Sequence, residues 1–247
     1  MLIYGHRGAA GEAPENTIAG LRHLIGLGLQ RVEIDLRLSR DGELMVVHDR
    51  SLKRTHGVPG RVSSLTSAAL IERSGRHAVP NLQQLLQACP ELTHLQLELK
   101  PAPARERLPI ARRLVETLSS VGAPLTRYCA TSSDPKLLAV VRSVARDLPR
   151  GLVITRQRDV AMLVRLGCTL ACVHYPLLDR FFVRCLRRTN AQVSAWTVNS
   201  GAVLQRMCRL GCDSVITDFP SQLRSALERT PKQQPFGLGH HELERGR

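Results

Sequence analysis

Short apolar runs alternate with longer stretches of helical period along most of the chain. Gly28, Gly167 and Gly211 each follow a helical stretch, at a position where glycine commonly ends a helix. Repeated strand–helix units of this kind are typical of a parallel sheet. The eight predicted strands are Leu2–Tyr4, Arg31–Leu36, His94–Leu99, Arg127–Thr131, Arg150–Ile154, Leu170–Val173, Gln192–Trp196 and Asp213–Thr217.

Eight strand–helix units in 247 residues fit one closed barrel, an architecture that usually needs about 250 residues. Helices are predicted over residues 103–120, 134–145 and 200–209, among others. We therefore predict an α/β protein, a TIM (β/α)8 barrel that occupies residues 1–229 as a single catalytic domain.

Two segments depart from this alternation. Residues 39–80 are too long for an ordinary strand–helix loop and contain several glycines, so we predict a small insertion over the barrel mouth after the second strand. Residues 230–247 show no periodicity, and we predict that they form a mobile C-terminal tail.

The composition favours anionic partners. The formal net charge is +14, and 31 of the 35 basic residues are arginine, which binds phosphate bidentately. A phosphate-bearing substrate and a nucleic acid both suit this charge, but so does a basic surface without a function. Charge alone therefore does not identify a ligand.

The seven cysteines and the start of the chain bear on its compartment. The cysteines include no CxxC pair, which fits neither a zinc knuckle nor a disulfide framework and implies a reducing environment. A predicted strand begins at residue 2 in place of a signal segment, and no run approaches the roughly 20 apolar residues of a membrane span. We predict a cytoplasmic protein without a membrane span.

Acidic residues stand at the ends of two neighbouring predicted strands. Glu33 and Asp35 are two positions apart, so their side chains point to the same face, and Glu98 adds a carboxylate from the next strand. Such carboxylates repel one another unless a cation or a proton lies between them. Oxygen ligands without cysteine favour Mg²⁺ or Ca²⁺. We predict a divalent metal site here, although each acid alone is also typical of a salt-bridged or solvated side chain.

Two histidines lie where they can reach this site. His6 ends the first strand, and His48 follows a short apolar segment and precedes Asp49, a possible orienting carboxylate. Imidazole titrates near neutral pH, and displacement at a phosphodiester requires removal of one proton and delivery of another. We predict a general acid and a general base, with the two roles unassigned. Arg7 and Lys100 are predicted to hold phosphate oxygens, with surface cations as the alternative.

Five motifs occur in a fixed order and closely resemble the glycerophosphodiester phosphodiesterase family over about residues 2–227. They are GHRGAAGEAPENT at 5–17, VEIDLRLSRDGELMVVHDRSLKRTHG at 32–57, LELK at 97–100, AWTVN at 195–199 and VITDFP at 215–220.

The resemblance implies a barrel enzyme that hydrolyses glycerophosphodiesters, such as glycerophosphocholine or glycerophosphoethanolamine, to glycerol 3-phosphate and an alcohol. It also implies that the glycerol 2-hydroxyl attacks phosphorus first and that water then opens a cyclic phosphate. Glu15 matches the family as a glycerol or metal ligand or as a loop brace, and Trp196 as the floor of the substrate site or as a buried barrel residue. The remaining implied roles are metal ligation by Glu33, Asp35 and Glu98, acid and base catalysis by His6 and His48, and phosphate binding by Arg7 and Lys100.

Two other functions remain open on the sequence alone. A lysophospholipase D-like enzyme would share the same catalytic residues, but secretion and disulfides, which favour its toxin-like versions, are not predicted here. A non-catalytic protein that binds nucleic acid or a phospholipid surface would use the positive charge but would need neither the acids nor the histidines. We expect a small-molecule substrate and no specific nucleic acid, and the oligomeric state is left open.

Overall fold

The computed structural model describes residues 1–229. The described strands are β1 Leu2–His6, β2 Arg31–Leu38, β3 Leu44–Val46, β4 His94–Leu99, β5 Tyr128–Ser132, β6 Arg150–Ile154, β7 Leu170–His174, β8 Gln192–Trp196 and β9 Ser214–Thr217. The α-helices are α1 Ile18–Gly26, α2 Lys53–His56, α3 Ser67–Ser74, α4 Leu82–Ala88, α5 Ala104–Val121, α6 Pro135–Val144, α7 Ala161–Leu166, α8 Arg180–Arg187, α9 Gly201–Leu210 and α10 Pro220–Glu228.

Eight parallel strands close into a barrel. The strand order is β1-β9-β8-β7-β6-β5-β4-β2, and β1 also pairs with β2, which joins the two ends of the sheet. The predicted TIM barrel is confirmed, and all eight predicted strands are present with ends shifted by two residues at most. The largest extensions carry β1 to His6 and β2 to Leu38, because both strands continue pairing up to the barrel mouth.

The main hydrophobic core lies between the barrel and its helices. Along β2, Val32, Ile34 and Leu36 are fully buried in one cluster with Leu21 and Leu24 of α1. Side chains alternate between the two faces of a strand, so the intervening residues point into the barrel. Since the outward face of β2 supplies the apolar packing, its inward face can hold polar residues at the mouth.

Residues 39–80 form a compact excursion with its own small core after β2. β3 runs antiparallel to the end of β2, with Leu36 opposite Val46. The excursion's buried residues form one cluster: Met45, Val47, Leu52, Val62, Leu70 and Val79. The strand at 44–46 was not predicted as such, because three residues are too few for a periodicity signal.

All seven cysteines are free thiols, and five of them are buried. No helix within residues 1–229 is long and apolar enough to cross a bilayer. The predicted tail at residues 230–247 lies outside the described residues. The predicted domain limits and cytoplasmic location remain predictions.

Candidate active site

Strand register brings the predicted acidic residues together at the barrel mouth. His6 of β1 is the register partner of Glu33 on β2, and Asp35 on β2 is the partner of Glu98 on β4. The three carboxylates can each offer one oxygen so that these oxygens lie within 4.8 Å of one another. The three acids that were predicted as a metal site therefore form one cluster.

The two carboxylates of β2 are almost completely enclosed. Glu33 is 4% exposed and Asp35 is 0% exposed. Burial and the nearby charge of Asp35 raise the pKa of Glu33 well above its usual range. Burial also acts to raise the pKa of Asp35, but the adjacent Lys100 and Arg7 outweigh it, so the net pKa shift is downward.

One buried oxygen in this cluster has neither a hydrogen-bond nor an ion-pair partner among residues 1–229. Glu33 Oε1 is buried and forms no hydrogen bond, a condition that costs free energy unless a ligand satisfies the oxygen. The donors are all oxygen atoms, which hard divalent ions prefer. The residues present therefore fit the divalent ion that the sequence predicts.

Two cations balance part of the negative charge. Lys100 Nζ lies 2.6 Å from Asp35 Oδ1 and 2.8 Å from Glu98 Oε1. Arg7 Nε lies 3.2 Å from Asp35 Oδ2, and the Arg7 backbone N–H donates to Glu33 Oε2 at 3.2 Å. Both basic residues line the same cavity as Glu33 and Glu98.

Asn16 holds Asp35 in place and was not predicted as a site residue. Its Nδ2 donates to Asp35 Oδ2 at 2.8 Å, and its Oδ1 accepts from the Asp35 backbone N–H at 3.2 Å. Asn16 and Arg7 both adopt positive φ angles, 57° and 51°, which asparagine tolerates better than most residues. Asn16 lies in the motif at residues 5–17, but sequence alone does not show a contact across 19 positions.

His6 is oriented by a carboxylate from the last strand's end. Nδ1 of His6 lies 2.6 Å from Asp218 Oδ1, and Nε2 lies 3.8 Å from Glu33 Oε2. Asn199 Nδ2 donates to the second oxygen of Asp218 at 2.6 Å. Asp218 directly follows the last predicted strand, but its pairing with His6 depends on the barrel closing between β1 and β9.

His48 is oriented by its neighbour in sequence. Nδ1 of His48 lies 2.8 Å from Asp49 Oδ1, as the sequence suggested, and Arg37 Nε donates to the His48 backbone carbonyl at 2.7 Å. The other oxygen of Asp49 accepts from Arg54 Nε at 2.6 Å. The charge of Asp49 is therefore shared between an imidazole and a guanidinium.

The two histidines differ in their tendency to hold a proton. Burial acts to lower the pKa of His6, but its hydrogen bond to Asp218 and the charge of Glu33 outweigh burial and raise this pKa. Burial lowers the pKa of His48, and the charges around it only partly oppose that effect. A neutral His48 and a protonated His6 are therefore favoured over the reverse.

Glu15 lies between two arginines. Its carboxylate accepts from Arg7 Nη1 at 3.1 Å and from both terminal nitrogens of Arg54 at 2.6 and 2.8 Å. These contacts join the loop after β1 to the segment after His48. They support the loop-bracing alternative, and a direct role of Glu15 in substrate binding stays a prediction.

A cavity of about 240 Å³ joins these groups. Trp196 lines it, with Nε1 donating to the Cys172 carbonyl at 3.0 Å and with its ring centroid 5.0 Å from that of His174. Both catalytic histidine candidates and the two proposed phosphate ligands open onto this space. The cavity's polar and aromatic lining includes His6, Arg7, Glu33, His48, Gln96, Glu98, Lys100, Thr131, Ser133 and Trp196.

Comparison with known proteins identifies the family. The sequence profile of the glycerophosphoryl diester phosphodiesterase family matches residues 6–222. A glycerophosphodiester phosphodiesterase of Bacillus altitudinis is 25% identical over 238 residues, which cover 89% of this chain and 95% of that protein. The human lysophospholipase D GDPD1 is 24% identical over 272 residues, with 90% and 84% covered.

A solved structure agrees in fold and in sequence. The phosphodiesterase OLEI02445 of Oleispira antarctica, in complex with its product sn-glycerol-3-phosphate, superposes with a TM-score of 0.85 at 25% identity and covers 92% of this chain and 97% of its own. The chain therefore belongs to the glycerophosphoryl diester phosphodiesterase family and is a phosphoric diester hydrolase of that type.

Proposed function

We propose that the protein hydrolyses small glycerophosphodiesters, such as glycerophosphocholine or glycerophosphoethanolamine, to sn-glycerol 3-phosphate and the head-group alcohol in a divalent-metal-dependent reaction. The observation that carries this proposal is one cavity, lined by Glu33, Glu98 and two separately oriented histidines, beside a cluster of three carboxylates that Asp35 completes. The Oleispira relative's bound product supports the choice of product.

Glu33, Asp35 and Glu98 are the proposed ligands of the divalent ion, either Mg²⁺ or Ca²⁺. Such an ion, when bound, polarises the phosphoryl oxygens and offsets the negative charge that develops during displacement. Asn16 contributes indirectly, because its two hydrogen bonds fix the orientation of Asp35.

His48 is the proposed general base and His6 the proposed general acid. Asp218, which binds His6, has no lysine or arginine within 4 Å in residues 1–229, whereas Arg54 occupies one oxygen of Asp49 beside His48. The carboxylate beside His6 therefore stabilises an imidazolium more fully. His48 accepts the proton of the attacking hydroxyl, and His6 delivers a proton to the oxygen of the departing alcohol.

Arg7 and Lys100 are the proposed ligands of the non-bridging phosphate oxygens. Both line the cavity beside the carboxylates and are held in place by ion pairs with Asp35. Trp196 provides an apolar wall for the glycerol end of the substrate. The attacking group in the first step is the glycerol 2-hydroxyl, so the P–O bond to the head group breaks as a cyclic phosphate forms, and water then opens that ring.

A substrate panel tests this proposal against its main alternative. Purified protein would be assayed with glycerophosphocholine, glycerophosphoethanolamine and lysophosphatidylcholine, after chelation and with each divalent ion added back. We expect release of the head-group alcohol from the two glycerophosphodiesters only with added metal. Preference for lysophosphatidylcholine would instead favour the lysophospholipase D activity of the human relative. If no substrate is hydrolysed and a gel-shift titration shows binding of nucleic acid, a non-catalytic binding protein would be favoured instead.

A further inference from the structure

A second cavity lies beside the active site, between the excursion after β2 and the loop after β4. Its volume is about 160 Å³, and Arg37, Arg50 and Arg61 line it together with Ala102. Lys100 lines both this cavity and the catalytic one. The proposed phosphate site and this arginine-lined space, which we call the arginine pocket, therefore share one lining residue.

The lining of the arginine pocket carries more positive than negative charge. Glu106 is the one acidic residue in it, and Arg105 lies 3.8 Å from that carboxylate. Arg37, Arg50 and Arg61 form no ion pair within residues 1–229, although 18 other such pairs are present there. Arg37 is half-buried, and Arg50 and Arg61 are exposed at the pocket's edge.

The pocket is held in shape by backbone contacts. The Arg50 carbonyl accepts from the Val62 backbone N–H at 2.8 Å, and Ser51 forms an antiparallel bridge with Arg61. Arg37 is fixed by its hydrogen bond to the His48 carbonyl. The three arginines are therefore placed by an organised backbone and do not project from a free loop.

Electrostatics within the pocket favour an anion. Cationic side chains around one small space repel one another unless an anion lies between them. Planar guanidinium groups bind phosphate oxygens in pairs.

We propose that the arginine pocket binds a second phosphate group, distinct from the phosphodiester that is cleaved. The proposal rests on the proposed function where that phosphate is part of the substrate's head group. The favoured substrates are then glycerophosphodiesters whose alcohol bears a further phosphate monoester. Free inorganic phosphate offers the same chemistry, and the two sources are separable by experiment.

The first arm of the test uses inorganic phosphate as the probe. Phosphate is titrated into isotopically labelled protein with Mg²⁺ present, and backbone amide signals are followed by NMR. We expect the amide signals of Val62, Ser63 and Ala102 to shift on addition of phosphate to the wild type. In Arg50→Gln/Arg61→Gln the same shifts should need phosphate concentrations about tenfold higher. The matched control is Arg73→Gln/Arg76→Gln, which removes the same charge from exposed positions of the same excursion.

The second arm uses two substrates that differ only in the distal group: glycerophosphoglycerol and its derivative with a terminal phosphate. For the wild type we expect a higher kcat/KM with the phosphorylated diester. The ratio of the two values should fall about tenfold in Arg50→Gln/Arg61→Gln and stay constant in the control pair.

The results of the two arms distinguish a phosphate in the substrate's head group from free inorganic phosphate. A fall in the ratio supports the head-group source, and phosphate-induced shifts at the pocket without a fall support free phosphate as the ligand. The proposal is overturned if the pocket amides do not respond to phosphate and the ratio is the same in all three proteins. If the wild type cleaves neither diester, the proposed function fails, and the NMR titration alone decides whether the pocket binds phosphate.

Discussion

Asp35 and Glu98 are register partners on β2 and β4, and one cation, the Lys100 ammonium, contacts both carboxylates at 2.6 and 2.8 Å. This arrangement partly neutralises the acidic cluster. Lys100 forms no ion pair with Glu33, whose Oε2 accepts from the Arg7 backbone N–H and whose Oε1 has no hydrogen-bond partner within residues 1–229. Glu33 is therefore the carboxylate whose removal most directly tests the metal site.

Glu33→Gln should abolish most of the affinity for Mg²⁺ or Ca²⁺ without unfolding the protein. The substitution replaces a buried carboxyl group whose pKa is raised by burial and by the charge of Asp35. We therefore expect the free energy of unfolding of the metal-free protein to be unchanged or to rise by about 1 kcal/mol. Calorimetric titration gives the metal affinity and urea denaturation the stability. Glu91→Gln, at an exposed position, is the control, and equal metal affinity in wild type and Glu33→Gln would exclude this ligand assignment.

Substitution of His6 and of His48 should have different effects on substrates with good and with poor leaving groups. His6→Ala should slow hydrolysis of glycerophosphocholine by about 10²- to 10⁴-fold. Hydrolysis of a nitrophenyl phosphodiester should be slowed much less, because nitrophenolate departs without a proton. His48→Ala should slow both substrates alike, because loss of the base weakens the nucleophile in each case. Steady-state kinetics of both variants measures these effects. The opposite pattern would exchange the two roles, and small equal effects in folded, metal-bound protein would rule out the mechanism.

Asp218→Asn should change the pH dependence of catalysis. The hydrogen bond to Asp218 raises the pKa of His6, and a general acid loses activity as pH rises through its pKa. Since asparagine lacks the negative charge, the alkaline fall in kcat/KM should move to lower pH in the variant. A pH–rate profile with glycerophosphocholine measures this shift, and Asp147→Asn, an exposed residue without an ion pair in residues 1–229, is the control. An unmoved alkaline limb would show that Asp218 does not tune His6.

Asp49 should contribute stability that is lost at acid pH. Its pKa falls from 3.8 to about 2, because bonds from Arg54 and His48 outweigh burial. A carboxylate whose pKa is lower in the folded than in the unfolded state stabilises the protein at pH values above its unfolded-state pKa. That contribution is lost as pH falls from about 4 to about 2. We expect about 1 kcal/mol or less after solvent screening. Urea denaturation at pH 5 and pH 3 should show a smaller pH effect for Asp49→Asn than for wild type, and an equal effect would contradict the assignment.

The barrel was predictable because its signal is repeated along the chain. Eight apolar runs separated by helical periods leave few other architectures, and Glu33 and Asp35 were identified by the alternation of side chains along one strand. The strand ends were less predictable, since the last pairs of β1 and β2 depend on neighbours distant in sequence.

The supporting residues of the site were not predictable in this way. Asp218 meets His6 across 212 positions, and Asn16 meets Asp35 across 19. Neither contact has a local periodicity, and both depend on barrel closure and on the course of a loop. The lack of an ion pair for Arg37, Arg50 and Arg61 within residues 1–229 is likewise a property of the folded surface, because nothing in their local sequence distinguishes them from the other arginines.

Phosphorus NMR of one reaction tests the central proposal most directly. Wild-type protein would be freed of metal, mixed with glycerophosphocholine and followed before and after addition of Mg²⁺ or Ca²⁺. We expect a constant diester signal without metal, and its replacement by the sn-glycerol 3-phosphate signal once one of the two ions is present, with Glu33→Gln inactive throughout. Undiminished hydrolysis by the metal-free protein, or formation of phosphocholine in place of sn-glycerol 3-phosphate, would contradict it.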